Sequence, residues 1–265
     1  MSIYLDEKNP GKHKPFEDAS PDVVTYVRYL EVIAGKSANT AFSYYCDLRG
    51  FSRFMKRRRG LVPADCELKD IDPKGLDAAF WASVTKEDIY EYLYFLGSEC
   101  GNKKSSTARR LASLHGFYDY LVNQVNKLEA DPTAAIHPPK QDKVLPKYLT
   151  AEQSMDLLES TQFQSDFPER DYCMVVLFLN CGMRLAELVG MDLEDIDMEN
   201  RQIRLFGKGH KERMVYLNDA CMEALQLYLN KRNTMEGLLP KERAVFITRR
   251  RKERIGNRRV EQLVT

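Results

Sequence analysis

Between Glu129 and Pro146 the chain carries Pro132, Pro138, Pro139 and Pro146 among small and charged residues. Proline has no amide hydrogen and its ring collides with the preceding turn. Prolines at that density cannot continue a helix or a central strand. The stretch predicts a linker over 127–146. It parts a helical domain at 20–126 from a second domain at 147–265, with a lead-in over 1–19. In a chain of 265 residues, each side is long enough to bury a core of its own.

The two sides differ in period. Residues 1–19 hold Pro10, Gly11 and Pro15 without periodicity and read as a poorly ordered lead-in. Ser20-Pro21-Asp22 opens a first helix, with Val23, Val24, Val27, Leu30 and Ile33 on one face and Gly35 at its end. Asn39-Thr40 opens a second that runs to Gly60, followed by a loop of roughly twenty residues. Thr85 with Asp88 is a capping-box pair before a third helix, and Ser105–Val125 is a fourth. Beyond the linker, Thr150 caps another helix, and Glu169–Asn180 is an apolar helix broken at Cys181-Gly182. A short helix, Arg184–Val189, follows. Short strands are predicted at 195–197, 202–206, 212–217 and 245–247, with helices at 220–232 and 257–264. The fold class is mainly α with a small antiparallel β-sheet.

Hydrophobic residues are 43% and charged residues 30%, a globular mixture. The N-terminus has no apolar signal region, so the expected address is cytoplasmic, and no apolar run is long enough for a membrane. Six cysteines without a C-x-x-C pair predict reduced thiols, neither a disulfide frame nor a metal site. Net charge is only +1, yet cations cluster: Lys56–Arg59, then Lys103, Lys104, Arg109 and Arg110, then seven of the eleven residues from Arg249 to Arg259. Taken singly these are solvated faces. Taken together they suit a polyanion.

Two residues invite chemistry. Arg184 follows the helix break at Cys181-Gly182-Met183 and starts a new helix, where its fork of donors could hold two phosphate oxygens, or simply pair with Glu187 one turn on. Lys208 sits between Gly207 and Gly209 at a hairpin tip, either a mobile charge beside a ligand or a solvated turn lysine.

The run CGMRLAELVGMDLEDIDMENRQIRLFGKGHKERMVYL, Cys181 to Leu217, closely resembles the first conserved block of the tyrosine recombinases, especially the XerC/XerD-like integrases. The match falls on Gly182, Arg184, Glu187, Leu188, Asp195–Asp197, Gly207, Lys208, Gly209, Lys211, Glu212 and Arg213. LPKYLTAEQ is similar to the family's entry to its catalytic domain. NTAFSYYCDLRGFSRFM and SSTARRLASLHGFYDYLV resemble two helices of its N-terminal core-binding domain, and NRRVEQLV the helix before its second block. His115 stands where relatives often carry arginine.

The resemblance implies a four-helix, SAM-like core-binding domain followed by an α+β catalytic domain that is incomplete here. It implies DNA breakage and rejoining through a 3′-phosphotyrosine, with no metal or other cofactor. In these roles Arg184 clamps the phosphate, Lys208 protonates the leaving 5′ oxygen and Glu187 supports both. Thr40, Tyr44, Lys103, Lys104, Arg109, Arg110, Lys211 and Arg213 become the DNA-contact candidates. The implied partners are double-stranded DNA, gripped by both domains as a C-shaped clamp, and further recombinase protomers in a tetrameric synapse; no membrane is involved. The family's second block, with His-x-x-Arg and the nucleophilic tyrosine, is absent: none of the 14 tyrosines lies beyond Tyr228. Tyr172, Tyr216 and Tyr228 read as core or boundary residues. The expectation is a polypeptide that binds DNA without completing cleavage. The alternatives are a non-catalytic DNA-binding competitor or accessory factor, and a piece of a longer enzyme.

Overall fold

A computed structural model describes residues 16, 18–140, 145, 148–207 and 211–263, without the side chains of 162 and 164. The chain divides into two compact units, Met1–Val144 and Leu145–Thr265.

In the first unit, α1 spans Pro21–Val32 with Pro21 at its first position, and Gly35 follows with φ +60°. Helix α2, Ala38–Arg58, starts slightly earlier than Asn39-Thr40 suggested. Ser37 is the true cap, its hydroxyl accepting from the Thr40 amide at 3.3 Å. The Thr85–Asp88 capping box opens the helix at Lys86–Ser98 as its sequence predicts. Between these lies α3, Ala78–Ala82, inside the segment expected to be loop. Its Trp81 is fully buried, 5.0 Å from the Phe117 ring and 6.5 Å from Phe51. Five residues are too few to show a period, so nothing local announced it. The Lys86–Ser98 helix is α4, and α5 covers Lys104–Asp119 before a π-helical turn at Tyr120–Gln124. Val23, Leu48, Phe51, Met55, Ile89, Leu111 and Phe117 form the core of this unit.

Both ends of the expected boundaries are more ordered than composition implied. The end of the lead-in is pinned, with Phe16 against Tyr45 at 4.9 Å and Asp18 paired with Arg49; residues 1–15 and 17 lie outside the described residues. Leu128 and Ile136, read as linker, are buried in the first core. His115 holds that segment: Nδ1 is 2.8 Å from Thr133 Oγ1 and Nε2 is 3.1 Å from the Ile136 carbonyl.

In the second unit, α6 spans Ala151–Gln164 behind a Thr150–Gln153 capping box, and α7 spans Pro168–Cys181. After α8, Leu185–Gly190, the strands β1 (Ile196–Asp197), β2 (Gln202–Phe206) and β3 (Glu212–Tyr216) make an antiparallel sheet in sequence order. Ile203 pairs with Val215, and Ile203 and Leu205 face the core. Helices α9, Asp219–Asn233, and α10, Asn257–Glu261, complete the unit. The last helix is shorter than the predicted 257–264, and residues 264–265 lie outside the described residues. Val245–Ile247 is fully buried but forms only isolated bridges, Asp192–Ala244 and Ile247–Arg254. Its carbonyls are shared out: Val245 accepts from Tyr228 and Arg232 of α9, Phe246 from the Ile255 amide, and Ile247 from Arg170 of α7. Tyr216, expected as core or boundary, is 75% exposed because strand alternation turns it to the open face of the sheet. Among the described residues, no helix is long and apolar enough to cross a membrane.

Candidate nucleic-acid interface

Helix α7 ends at Cys181 because Gly182 turns left-handed, φ +55°, a conformation open to glycine at little cost. Two residues later Arg184 is extended and starts α8. Glu187, one turn on, reaches back: its Oε2 accepts from the Arg184 amide at 2.8 Å and its Oε1 from Arg184 Nη1 at 2.7 Å. From β3, Arg213 Nη2 donates to Glu187 Oε2 at 2.8 Å and to the Gly182 carbonyl at 3.1 Å. The Glu187 side chain is 2% exposed, while those of Arg184 and Arg213 are 70% and 41% exposed. One buried carboxylate therefore carries two guanidiniums to the surface, leaving a local excess of positive charge held in fixed positions. The pairing of Arg184 with Glu187 and its availability to a ligand are not alternatives: Nη1 serves the pair, and most of the group faces water.

The hairpin turn lies against this cluster. The Gly207 amide donates to the Lys211 carbonyl at 2.8 Å. A Cβ on Gly207 would sit in ordinary contact, 3.4 Å from Glu187 Oε1 and 3.8 Å from Arg184 Nη1, so the start of the turn lies directly against the cluster. Lys208 lies outside the described residues.

Burial alone would raise the Glu187 carboxyl, but the Arg184 amide and the two guanidiniums outweigh it and lower it from 4.5 to about 2. A carboxylate depressed in the folded state contributes stability above its unfolded value, and loses it as pH falls toward about 2. With both arginines in solvent, about 1–2 kcal/mol is expected after screening. Urea unfolding at about pH 5 and about pH 3 should show Glu187→Gln losing less stability on acidification than the parent by about half of that amount, the rest being lost below about pH 3. Equal losses would mean that the carboxylate is not held this way.

The other candidates fare unequally. Lys103 and Lys104 are exposed at the start of α5, and Lys211 is exposed on the hairpin. The Thr40 hydroxyl is 2.9 Å from Ser37 Oγ, and Tyr44 is half-buried near Gly116. Arg109 forks onto Asp47, with Nη2 at 2.9 Å, and is 47% exposed. Arg110 is a correction: its side chain is only 8% exposed, 3.6 Å from the buried Asp47 carboxylate, so it balances an interior charge and cannot line a groove.

The run Lys56–Arg59 is also largely spent on the fold. Lys56 donates to the Asp72 carbonyl, Arg57 lies over the Phe95 ring, and Arg58 and Arg59 both bind Asp88 at the start of α4. In the last cluster Arg254 binds the Val189 and Met191 carbonyls and Asp192, while Arg250, Arg251 and Arg258 remain exposed. The tie from Arg213 to Glu187 escaped the sequence reading. Strand alternation, which puts Arg213 and Val215 on one face, was its only local signal. Among the described residues, no group of three or more His, Cys, Asp or Glu side chains could hold a metal ion.

The fold is similar to that of two solved integrase structures. A lambda integrase dimer bound to a COC′ core site matches 96% of this chain and 66% of its own, with 17% identity and a TM-score of 0.61. The Tn1549 transposon integrase in complex with transposon right end DNA matches 88% and 73%, with 19% identity and a TM-score of 0.58. Residues 147–265 match the Phage integrase family. Tyrosine recombinase XerC of Caldanaerobacter subterraneus subsp. tengcongensis is 39% identical over 244 residues, 92% of this chain and 67% of that protein. XerC of Myxococcus xanthus is 33% identical over 225 residues, 85% and 68%. The chain belongs to the tyrosine recombinase family, and it spans about two thirds of the length of these relatives.

Proposed function

We propose that this chain binds double-stranded DNA through both units and supplies the phosphate clamp of a site-specific recombinase. The carrying observation is the exposed pair Arg184 and Arg213 set on buried Glu187 beside the hairpin turn. Arg184 holds the non-bridging oxygens of the scissile phosphate, where negative charge accumulates as the bond breaks. Lys208, next in the chain to Gly207, gives its proton to the departing 5′ oxygen. Glu187 transfers no proton, because a carboxyl titrating near 2 stays ionised, and it orients the two arginines instead. Lys103, Lys104 and Arg109 contact the backbone from α5 of the first unit, Thr40 and Tyr44 from α2, and Lys211 from the second unit. The working partners are duplex DNA and further recombinase protomers. The nucleophilic tyrosine and its neighbouring His and Arg are not supplied by these 265 residues.

The test is a salt titration of duplex binding. Affinity should fall with a log–log slope of about −0.9 per phosphate neutralised. Arg184→Ala should weaken binding about tenfold and make that slope shallower by about one. A slope near zero in the parent, or an unchanged slope in the variant, would remove the clamp.

A further inference from the structure

Beside the arginine pair, two thiols face each other. Cys181 is the last residue of α7 and Cys221 lies in the first turn of α9, with their sulfurs 3.9 Å apart and either able to carry the hydrogen between them. Cys221 is fully buried, and Cys181 is partly open to solvent. The Cys221 amide is capped by Asn218 Oδ1 at 3.0 Å, so its sulfur sits among the donors of a helix start. Accordingly the hydrogen bond from Cys181 pulls the Cys221 thiol down, and the same bond pushes Cys181 up. Cys181 Sγ is also 4.0 Å from the Tyr216 carbonyl on β3. The next residue, Gly182, gives its carbonyl to Arg213.

We propose that Cys181 and Cys221 form an oxidisable dithiol, a modification site for a hydroperoxide, whose closure weakens anion binding at Arg184 and Arg213. The second half rests on the function proposed above. The deprotonated pair keeps its remaining hydrogen on Cys181, but the peroxide reaches only the solvent-open sulfur; the reacting form is therefore the less stable one, in which that hydrogen has moved across the 3.9 Å contact to Cys221. The Cys181 thiolate so formed attacks a peroxide oxygen, breaks the O–O bond and releases hydroxide, leaving a sulfenic acid. The Cys221 sulfur then attacks that sulfur and expels water. Two thiols and one hydrogen peroxide thus give one disulfide and two waters. A disulfide needs sulfurs at about 2.05 Å. The approach must be made by the end of α7 and the start of α9, so the strain falls on Cys181-Gly182. That is where Arg213 is anchored.

The experiment treats the 265-residue protein with hydrogen peroxide, counts thiols with Ellman's reagent and maps disulfide-linked peptides by mass spectrometry. Duplex DNA affinity is measured before oxidation, after it, and after added dithiothreitol. The expected result is two of the six thiols lost, a 181–221 linked peptide, and affinity about tenfold weaker, the worth of one charge-assisted hydrogen bond, restored by the reductant. Cys181→Ser, at the partly exposed position, and Cys221→Ser should each prevent the change. Cys66→Ser, in the other unit, should leave it intact. A Cys173–Cys221 link, bonds only between chains, or a 181–221 link with unchanged affinity would overturn the proposal. If the reduced protein binds no duplex DNA, the functional reading and the coupling fall together, and a mapped 181–221 link still upholds the dithiol.

Discussion

A polypeptide of these 265 residues, incubated with a nicked suicide duplex, is expected to bind it and to give no protein–DNA adduct on a denaturing gel. Attack on phosphorus needs a hydroxyl in line with the scissile bond and within contact distance, in a pocket that neutralises the charge produced. The tyrosines of the second unit do not meet that need. Tyr228 is fully buried, with its hydroxyl donating to the Val245 carbonyl at 2.8 Å and accepting from the Ile247 amide at 3.2 Å. Burial pushes that hydroxyl far above its usual value, which makes it a poor nucleophile. Tyr172 is half-buried against the core. Tyr216 is exposed, but Arg213 points to Glu187, and three residues along a strand is an odd step. Tyr216 therefore projects from the opposite face of the sheet. Tyr148 precedes α6 and matches no part of the family's nucleophile block. An adduct band abolished by one Tyr→Phe change would overturn this account. An adduct gained only when the His-x-x-Arg and tyrosine block is joined on would support it.

Replacing Arg232 with alanine is expected to destabilise the second unit by about 3–5 kcal/mol. Arg232 is 2% exposed near the end of α9. Nε donates to the Ala244 and Val245 carbonyls, both at 3.1 Å, and Nη2 to those of Glu242 and Ala244, at 2.9 and 2.8 Å. Ala244–Ile247 is fully buried without a partner strand, so this guanidinium does the work that a sheet ladder would. Alanine would strand the Ala244 and Glu242 carbonyls, that of Val245 keeping the Tyr228 hydroxyl, at about 1–3 kcal/mol each, and leave a void besides. Tyr228→Phe, which removes one donor and keeps the ring, should cost about 1–2 kcal/mol. The loop is tied to the end of α8, since the Val245 amide donates to Met191 and the Leu193 amide to Arg243. Loosening it should therefore also reduce DNA affinity. Urea unfolding decides the matter, and a loss below about 1 kcal/mol would show that those carbonyls find other partners.

What the sequence determined by itself is what lies within a few residues along the chain. The Thr85–Asp88 and Thr150–Gln153 capping boxes, the Pro21 start, the left-handed stop at Gly182 and the bond from Arg184 to Glu187 all join residues no more than four apart. So does the hairpin turn closed from Gly207 to Lys211. Such features are local hydrogen bonds and backbone preferences, so residue identity and spacing nearly suffice to predict them. The resemblance to tyrosine recombinases was legible for the same reason, because its marker residues lie in one unbroken run.

Tertiary structure alone decided which cations are available. Arg109 and Arg110 meet Asp47 about sixty residues away, Arg59 meets Asp88 at a separation of 29, and Arg213 meets Glu187 at 26. A run of arginines reads identically whether it faces a polyanion or a buried carboxylate. The difference is whether packing brings an acid within hydrogen-bond reach, and that depends on how whole helices and strands cross. The same holds for Trp81, whose five-residue helix fills a gap between Phe51 and Phe117, and for the Val245–Ile247 segment, held by side chains of α7 and α9 and by isolated backbone bonds rather than within a sheet. Local bonds set the elements and the anion-binding motif; long-range burial of charge determined which of its neighbours could join it.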